Sequence, residues 1–107
     1  MRAYELMVIF KADAEESTIQ NYINRFTELA KEADGSLEKI DKWGIKRFAY
    51  EMQKAREGFY VVLEFVSPNA LNEIDRMLRL ADEVMRHKFM RLPVEEAHRR
   101  GLAAATN

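Results

Sequence analysis

The sequence predicts an α+β domain in which four antiparallel strands form one sheet and two helices cover one of its faces. Apolar residues recur with a period of two in four segments, which predicts strands, and with a period of about 3.6 in two segments, which predicts helices. The order of the six segments is strand, helix, strand, strand, helix, strand. The 107 residues suit a single hydrophobic core. Two strand segments are apolar on both faces, which is typical of central strands in a covered sheet.

The first strand is predicted over residues 2–11, a run rich in β-branched and aromatic residues. Met7 and Ile9 make its second face unusually apolar for a surface in water, which indicates a central strand on which something docks. The residues that share its first face are Tyr4, Leu6, Val8 and Phe10.

The first helix is predicted over residues 15–33, because its apolar residues recur three and four positions apart. Gly35 is expected to take the left-handed conformation that ends it. Two pairs could form a capping box at its start, namely Asp13 with Glu16 or Ser17 with Gln20.

The second strand is predicted over residues 36–52 with a β-bulge, since Leu37 and Ile40 cannot share a face of a regular strand. Gly44, directly after Trp43, marks the expected bend. Residues 53–58 are polar and predict a hairpin loop that leads to the next strand.

The third strand is predicted over residues 59–66. Ser67 and Pro68 then match an N-cap followed by proline at the first helical position, so a second helix is expected from there to about Leu80. The buried stripe of this helix is expected to contain Leu71, Ile74, Leu78 and Ala81.

The last strand is predicted over residues 84–92 and ends before Pro93, which cannot donate a hydrogen bond to a sheet. Alternation leaves its register open between a phase with Val84, Met90 and Leu92 inward and one with Met85 and Phe89 inward. The domain is therefore expected over residues 1–92. Residues 93–107 are expected to form a C-terminal tail, with a helical turn over 94–100 and a frayed alanine-rich end.

This element order is the ferredoxin-like β-α-β-β-α-β arrangement. Right-handed crossovers place the first and third strands in the centre of the sheet and the other two at its edges. Both helices then cover one face, and the opposite face is left for partners.

Several classes of function lack a site in this sequence. There is no cysteine, and His87 and His98 are isolated from second ligands at metal-binding spacing. The paired carboxylates lie at predicted helix starts or turns, and the scattered glycines form no phosphate-binding loop. We therefore expect no catalytic residue, no metal and no cofactor; an acylphosphatase-like activity would rest on fold analogy alone.

Hydropathy limits the possible cellular locations of the protein, and the charge balance limits its possible binding partners. The apolar run at residues 4–10 is too short for a signal peptide and no segment approaches bilayer length, so cytoplasmic residence is the default expectation. The net charge of −1 lacks the strongly basic balance typical of nucleic-acid binders. Residues 36–107 nevertheless hold thirteen basic residues against eleven acidic ones, compared with four against seven in residues 1–35.

Basic and aromatic residues interleave in the second strand and recur in the last one. Such a pattern suits RNA, since cations neutralise phosphates and exposed rings stack on bases. Charged residues on an edge strand also prevent edge-to-edge aggregation, and this structural explanation fits residues 39–56 equally well.

Four segments carry a specific pattern, namely residues 1–7, 43–50, 56–61 and 78–86. In order and spacing they resemble the bacterial small-subunit ribosomal protein six family. The resemblance spans residues 1 to about 92, with two differences: Glu51 stands where relatives often carry proline, and the tail is not a long acidic extension. It implies a ferredoxin-like structural constituent of the small ribosomal subunit. Such a protein would bind the central domain of 16S ribosomal RNA together with small-subunit ribosomal protein eighteen, without catalysis.

On this hypothesis, basic residues near strand ends hold the RNA backbone, and the sheet with its edge strand docks the partner protein. Alternation of the strands is expected to turn about half of the partner aromatics toward the helices. The predicted RNA-binding residues are Arg2, Lys46, Arg47, Arg56, Arg86, His87, Lys88 and Arg91. The predicted partner-protein residues are Trp43, Phe48, Tyr50, Tyr60 and Val62.

An alternative is a stand-alone ferredoxin-like module for ligand sensing or dimerisation. It would use the exposed face of the sheet. The apolar residues suited to this role are Met7, Ile9, Val62 and Val66.

Overall fold

A computed structural model describes residues 1–52 and 54–102 of the chain. The sheet has the order β2-β3-β1-β4 with antiparallel neighbours, so the predicted topology and the two central strands are confirmed. None of the helices in this part of the chain is long and apolar enough to cross a membrane. The elements are β1 (Arg2–Lys11), α1 (Glu16–Glu32), β2 (Ser36–Met52), β3 (Ala55–Ser67), α2 (Asn72–Arg79), β4 (Val84–Leu92) and α3 (Val94–Arg99).

The main core lies between the sheet and the helices α1 and α2. Alternate residues of β1 and β3 point to this side, which is the period of two that the sequence shows. Burial of each large apolar side chain contributes about 1.5–3 kcal/mol. The fully buried residues of this core include Leu6, Val8, Phe10, Ile19, Ile23, Phe26, Val61, Leu63, Phe65 and Ile74.

The ends of α1 differ from the predicted caps. Neither capping box forms, because the N-cap is Glu15 and its side chain makes no capping hydrogen bond. At the other end Asp34, and not Gly35, takes the left-handed conformation, with a φ of 63°. Gly35 is required for a different reason: a Cβ atom there would lie 2.5 Å from the carbonyl oxygen of Val66.

The predicted bulge in β2 is confirmed, and there is a second one. An extra residue at Glu38 places Leu37 opposite Phe65 and Ile40 opposite Leu63, so both face the helices. The other extra residue is Trp43, and it is followed by Gly44 with a φ of 84°.

The predicted loop over residues 53–58 is too long. β3 already begins at Ala55, which pairs with Met52, and the turn includes Lys54 with a φ of 63°. Gln53 lies outside the described residues. Sequence polarity was misleading here because an exposed hairpin can be polar on both strands.

The predicted start of α2 at Ser67 and Pro68 is wrong, because the helix begins at Asn72. Ser67 is instead the last residue of β3, and its buried hydroxyl accepts a hydrogen bond from the backbone N–H of Asn69 at 3.1 Å. The predicted stripe of α2 does face the core, with Ile74 and Leu78 fully buried.

The register of β4 combines parts of both predicted phases. Phe89 lies opposite Leu6 and faces the main core, whereas Leu92 lies opposite Ala3 on the other side of the sheet. A register shift at Met85 lets Val84 join Phe89 on the core side. Strict alternation could not reveal this, because one extra residue inverts the phase.

The segment after β4 packs on the sheet. Ala97 of α3 and Leu102 are buried with Ala3, Val66 and Leu92, on the face opposite the main core. The expectation that this face is left wholly free is therefore wrong at one end. The expected frayed end, residues 103–107, lies outside the described residues.

The hydroxyl of Tyr22 donates a hydrogen bond of 2.6 Å to Glu83, which joins α1 to the turn before β4. Burial and this carboxylate raise the pKa of Tyr22 from 10.0 to about 12. The raised pKa means that the folded state binds the phenol proton more tightly than the unfolded state does. The protonated Tyr22 phenol therefore stabilises the folded state below pH 10, and this stabilisation is lost as the pH rises to about 12.

We therefore expect the free energy of unfolding of the wild type to fall between about pH 10 and 12 more steeply than that of Tyr22→Phe. Urea denaturation at constant ionic strength measures this difference. Equal pH dependence of the two proteins would show that the Tyr22 phenol does not titrate differently in the folded and unfolded states.

Candidate nucleic-acid interface

The face of the sheet opposite α1 and α2 is called the open face below, although α3 covers one end of it. Residues that pair across neighbouring strands point to the same face of the sheet, so the strand register shows which side chains lie on the open face. At the end away from α3, the open face carries aromatic and basic side chains from β2, β3 and β4.

Three of the predicted partner aromatics form one cluster on the open face. The ring of Trp43 stacks on that of Tyr60 with 6.2 Å between centroids and 7° between planes. The ring of Phe48 lies 6.2 Å from that of Tyr60 at 57°. The expectation that half of the named aromatics face the helices is therefore wrong, because the bulge at Trp43 shifts the phase of β2.

The two remaining partner candidates differ in exposure. Tyr50 on β2 is 86% exposed, compared with 48% for Trp43 and 49% for Ile45 on the same strand. Val62 is half-buried on the open face, where it lies opposite Met7 on β1 and Asp41 on β2.

Seven of the eight predicted RNA-binding residues are exposed and form no ion pair among the described residues. In the same part of the chain, other arginines such as Arg25 and Arg79 are paired with carboxylates. A cation without a carboxylate partner is available to neutralise phosphate. The seven residues are Arg2, Lys46, Arg47, Arg56, Arg86, Lys88 and Arg91.

The eighth residue, His87, is turned inward. Its Nε2 atom lies 2.8 Å from Oδ1 of Asp75 on α2, and its side chain is 15% exposed. His87 faces the helices because it lies opposite Val8 in the register. The geometry gives it a role in holding β4 to α2.

The structure divides six of the seven cations between two regions; the seventh, Arg47, lies opposite Glu57 in the register. Lys46, Arg86 and Lys88 lie opposite Gly58, Ile9 and Met7 and project from the open face. Arg56 has the same orientation, since it is two residues before Gly58. On the helix side, Arg91 lies opposite Tyr4 and Arg2 shares the face of that residue, at the far end of β1. The sequence did not show this division, because the register of β4 was open.

Lys46 also contacts the aromatic cluster. Its Nζ atom lies 5.5 Å from the centroid of the Trp43 ring, within the range of a cation–π interaction. The cluster and the cations are therefore parts of one surface.

Two clefts mark the end of the open face away from α3. One, of about 430 Å³, is lined by Phe48, Tyr50, Tyr60 and Arg86 together with Arg47 and Glu51. The other, of about 300 Å³, includes Lys11 and Arg56 in its lining. Sequence reasoning missed Lys11; its place as the last residue of β1, beside the hairpin end, was the available signal.

The end of the open face under α3 is rich in carboxylates. The guanidinium of Arg100 donates hydrogen bonds to Glu5 at 2.9 Å and to Glu96 at 2.7 Å. Bonds to Glu96 and Glu5 raise the pKa of Arg100, and bonds from Arg99 and Arg100 lower that of the Glu96 carboxyl. Lys39 also donates a hydrogen bond to the carbonyl oxygen of Arg100. The open face thus changes from ion-paired charges under α3 to cations without a described carboxylate partner at the hairpin end.

Within residues 1–52 and 54–102, no group of three or more histidine, aspartate or glutamate side chains is arranged to hold a metal ion. The interface consists mainly of cations, rings and apolar side chains, with Glu51 as the acidic residue of the larger cleft.

The chain matches the family model of Ribosomal protein S6 over residues 3–91. Two similar relatives are small ribosomal subunit protein bS6 of Carboxydothermus hydrogenoformans and of Saccharopolyspora erythraea. The first is 40% identical over 85% of this chain and 96% of the relative. The second is 44% identical over 89% of this chain and 81% of the relative.

Solved structures agree with the fold. The crystal structure of 30S ribosomal protein S6 from Thermotoga maritima aligns with a TM-score of 0.79 and 29% identity, covering 94% of this chain and 97% of that one. A chain in the structure of the chemotaxis kinase CheA P2 domain in complex with the response regulator CheY, from the same organism, aligns with a TM-score of 0.53 and 15% identity, which shows likeness of fold alone. The predicted ferredoxin-like fold and the resemblance noted in the sequence are confirmed.

Proposed function

Because the chain belongs to the Ribosomal protein S6 family of the small ribosomal subunit, we propose that it is a structural constituent that binds the central domain of 16S ribosomal RNA. In this proposal it binds together with small-subunit ribosomal protein eighteen and has no enzymatic role. Family membership also confirms the expected location in the cytoplasmic ribosome.

The observation that carries the RNA proposal is the group of exposed cations beside the aromatic cluster, which form no ion pair with a carboxylate in the described part of the chain. Lys46, Arg56, Arg86 and Lys88 project from one face of a rigid sheet, so a phosphate backbone could meet several of them at once. Arg2 and Arg91 would provide a second contact from the opposite end of β1. Fixed cations of this kind read the shape of a folded RNA more than its sequence.

The partner surface is proposed around Val62 and Trp43, between the cations and α3. Val62 lies opposite Asp41, which accepts a hydrogen bond of 2.9 Å from the Trp43 indole. The exposed carboxylate of Asp41, which forms no ion pair with a described residue, suits a basic partner. With a net charge of −1, the chain would leave much of the phosphate neutralisation to that partner.

A stand-alone dimerisation or ligand-sensing module receives less support from the geometry. Two of the four apolar residues that it would use are covered: Ile9 is 6% exposed and Val66 is 1% exposed. The remaining two, Met7 and Val62, are half-buried. They leave little apolar area for a self-association surface.

The proposal is tested by reconstitution. We expect the protein to bind a central-domain fragment of 16S ribosomal RNA in the presence of small-subunit ribosomal protein eighteen, with an affinity that falls as salt rises. Binding assays at several salt concentrations, with and without the partner, measure this. Failure of the folded protein to join that complex would contradict the proposed function.

A further inference from the structure

The cleft of about 430 Å³ on the open face combines aromatic and cationic residues in one concave site. Its volume lies within the range of roughly 300–1,000 Å³ that is typical of small-ligand sites. Three aromatic residues, Phe48, Tyr50 and Tyr60, share the lining with Arg47 and Arg86.

Contacts within the protein preorganise the aromatic rings of the cleft. Trp43 stacks on Tyr60 with nearly parallel planes, and Phe48 packs against the same ring. These contacts restrict the Tyr60 ring, so less side-chain entropy would be lost on binding. Tyr50 is 86% exposed and free to cover a flat ligand.

The charges of the lining favour an anion that also carries a ring. Arg47 and Arg86 are exposed, and neither forms an ion pair with a described carboxylate. Glu51 is the acidic residue of the lining. Its oxygens suit the amino group of a base better than a phosphate. A basic segment of a partner protein would be repelled by the two guanidinium groups.

We propose that this cleft binds one unpaired nucleotide of ribosomal RNA. The base stacks on the rings of Phe48, Tyr50 and Tyr60, and the phosphate lies on Arg86. The proposal rests on the proposed function and deepens it, because it assigns these three aromatics to RNA and leaves Trp43 and Val62 to the protein partner.

The first experiment locates the contact. The full-length protein and its partner are bound to a central-domain fragment of 16S ribosomal RNA that carries photoreactive thiouridine, and the crosslinked peptides are identified. We expect crosslinks to residues 47–51 and to the peptide with Tyr60. Crosslinks confined to other parts of the chain would overturn the proposal.

The second experiment measures the stacking. Loss of a stacked ring should weaken RNA binding by roughly 5- to 150-fold in Tyr60→Leu and in Phe48→Leu, whereas Tyr60→Phe should bind like the wild type. Circular dichroism confirms the fold of each variant. Arg86→Gln is compared with Lys31→Gln on α1, which makes the same change in charge on the opposite side of the molecule. Only Arg86→Gln should weaken binding.

The outcomes separate this inference from the proposed function. If the folded leucine variants bind RNA like the wild type, the nucleotide site is wrong while the ribosomal role stands. If they lose affinity for the protein partner in the absence of RNA, the cleft is a protein interface and the inference is also overturned. Absence of RNA binding by the wild type would overturn both.

Discussion

Replacing Arg86 and Lys88 with glutamate should weaken binding to the central-domain fragment of 16S ribosomal RNA by roughly 50-fold or more at about 0.1 M salt. Both side chains project from the open face and are exposed without a carboxylate partner in the described chain. Loss of two phosphate contacts reduces the release of counterions. The slope of the logarithm of the binding constant against the logarithm of the salt concentration should therefore decrease in magnitude by about two.

A matched control separates a local effect from a change in total charge. Lys31→Glu with Arg76→Glu reverses two exposed cations on α1 and α2, the side opposite the open face. This control should bind RNA nearly as well as the wild type. Equal weakening by both double variants would show that overall charge, and not this surface, governs binding.

Replacing Leu102 with alanine should lower the free energy of unfolding by about 2–5 kcal/mol, even though it lies beyond the last strand. Leu102 is 2% exposed and packs with Ala3, Val66 and Leu92 under α3. The shortened side chain would leave a cavity against the open face of the sheet. Chemical denaturation measures the loss.

Leu80→Ala is the control for this change, because the same atoms are removed from a side chain that is 74% exposed. Its effect should be within about 0.5 kcal/mol. If the two variants were equally stable, the packing of residues 94–102 on the sheet would contribute nothing to the folded state.

The topology could be predicted because each of its determinants is local. The spacing of Ile19, Ile23 and Phe26 defines a helix face, and alternation in β1 and β3 defines strands with two apolar sides. Right-handed crossovers then leave one strand order. A bulge in β2 was also predictable, since Leu37 and Ile40 share a face only if an extra residue intervenes. That residue is Glu38, and the bend marked by Gly44 coincides with a second bulge at Trp43.

The candidate site was predicted as a set of residues but not as a surface. The sequence pointed to cations in β2 and β4, and most of them are exposed. It could not separate Arg86 from His87, because neighbouring residues of a strand face opposite ways and the register shift at Met85 decides which way. Nor could it show that His87 contacts Asp75, twelve residues away on another element.

The sequence by itself therefore determined the fold, the absence of a recognisable catalytic motif and the family resemblance, all of which depend on residue type and short-range spacing. Only the tertiary structure decided which face each aromatic and cation occupies and that α3 covers one end of the sheet. The physical reason is that bulges and long-range packing set the phase of a strand, and the register shift near Met85 has no distinct local signal. A single extra residue at Trp43 brings an aromatic cluster to the open face, beside cations from β2 and β4.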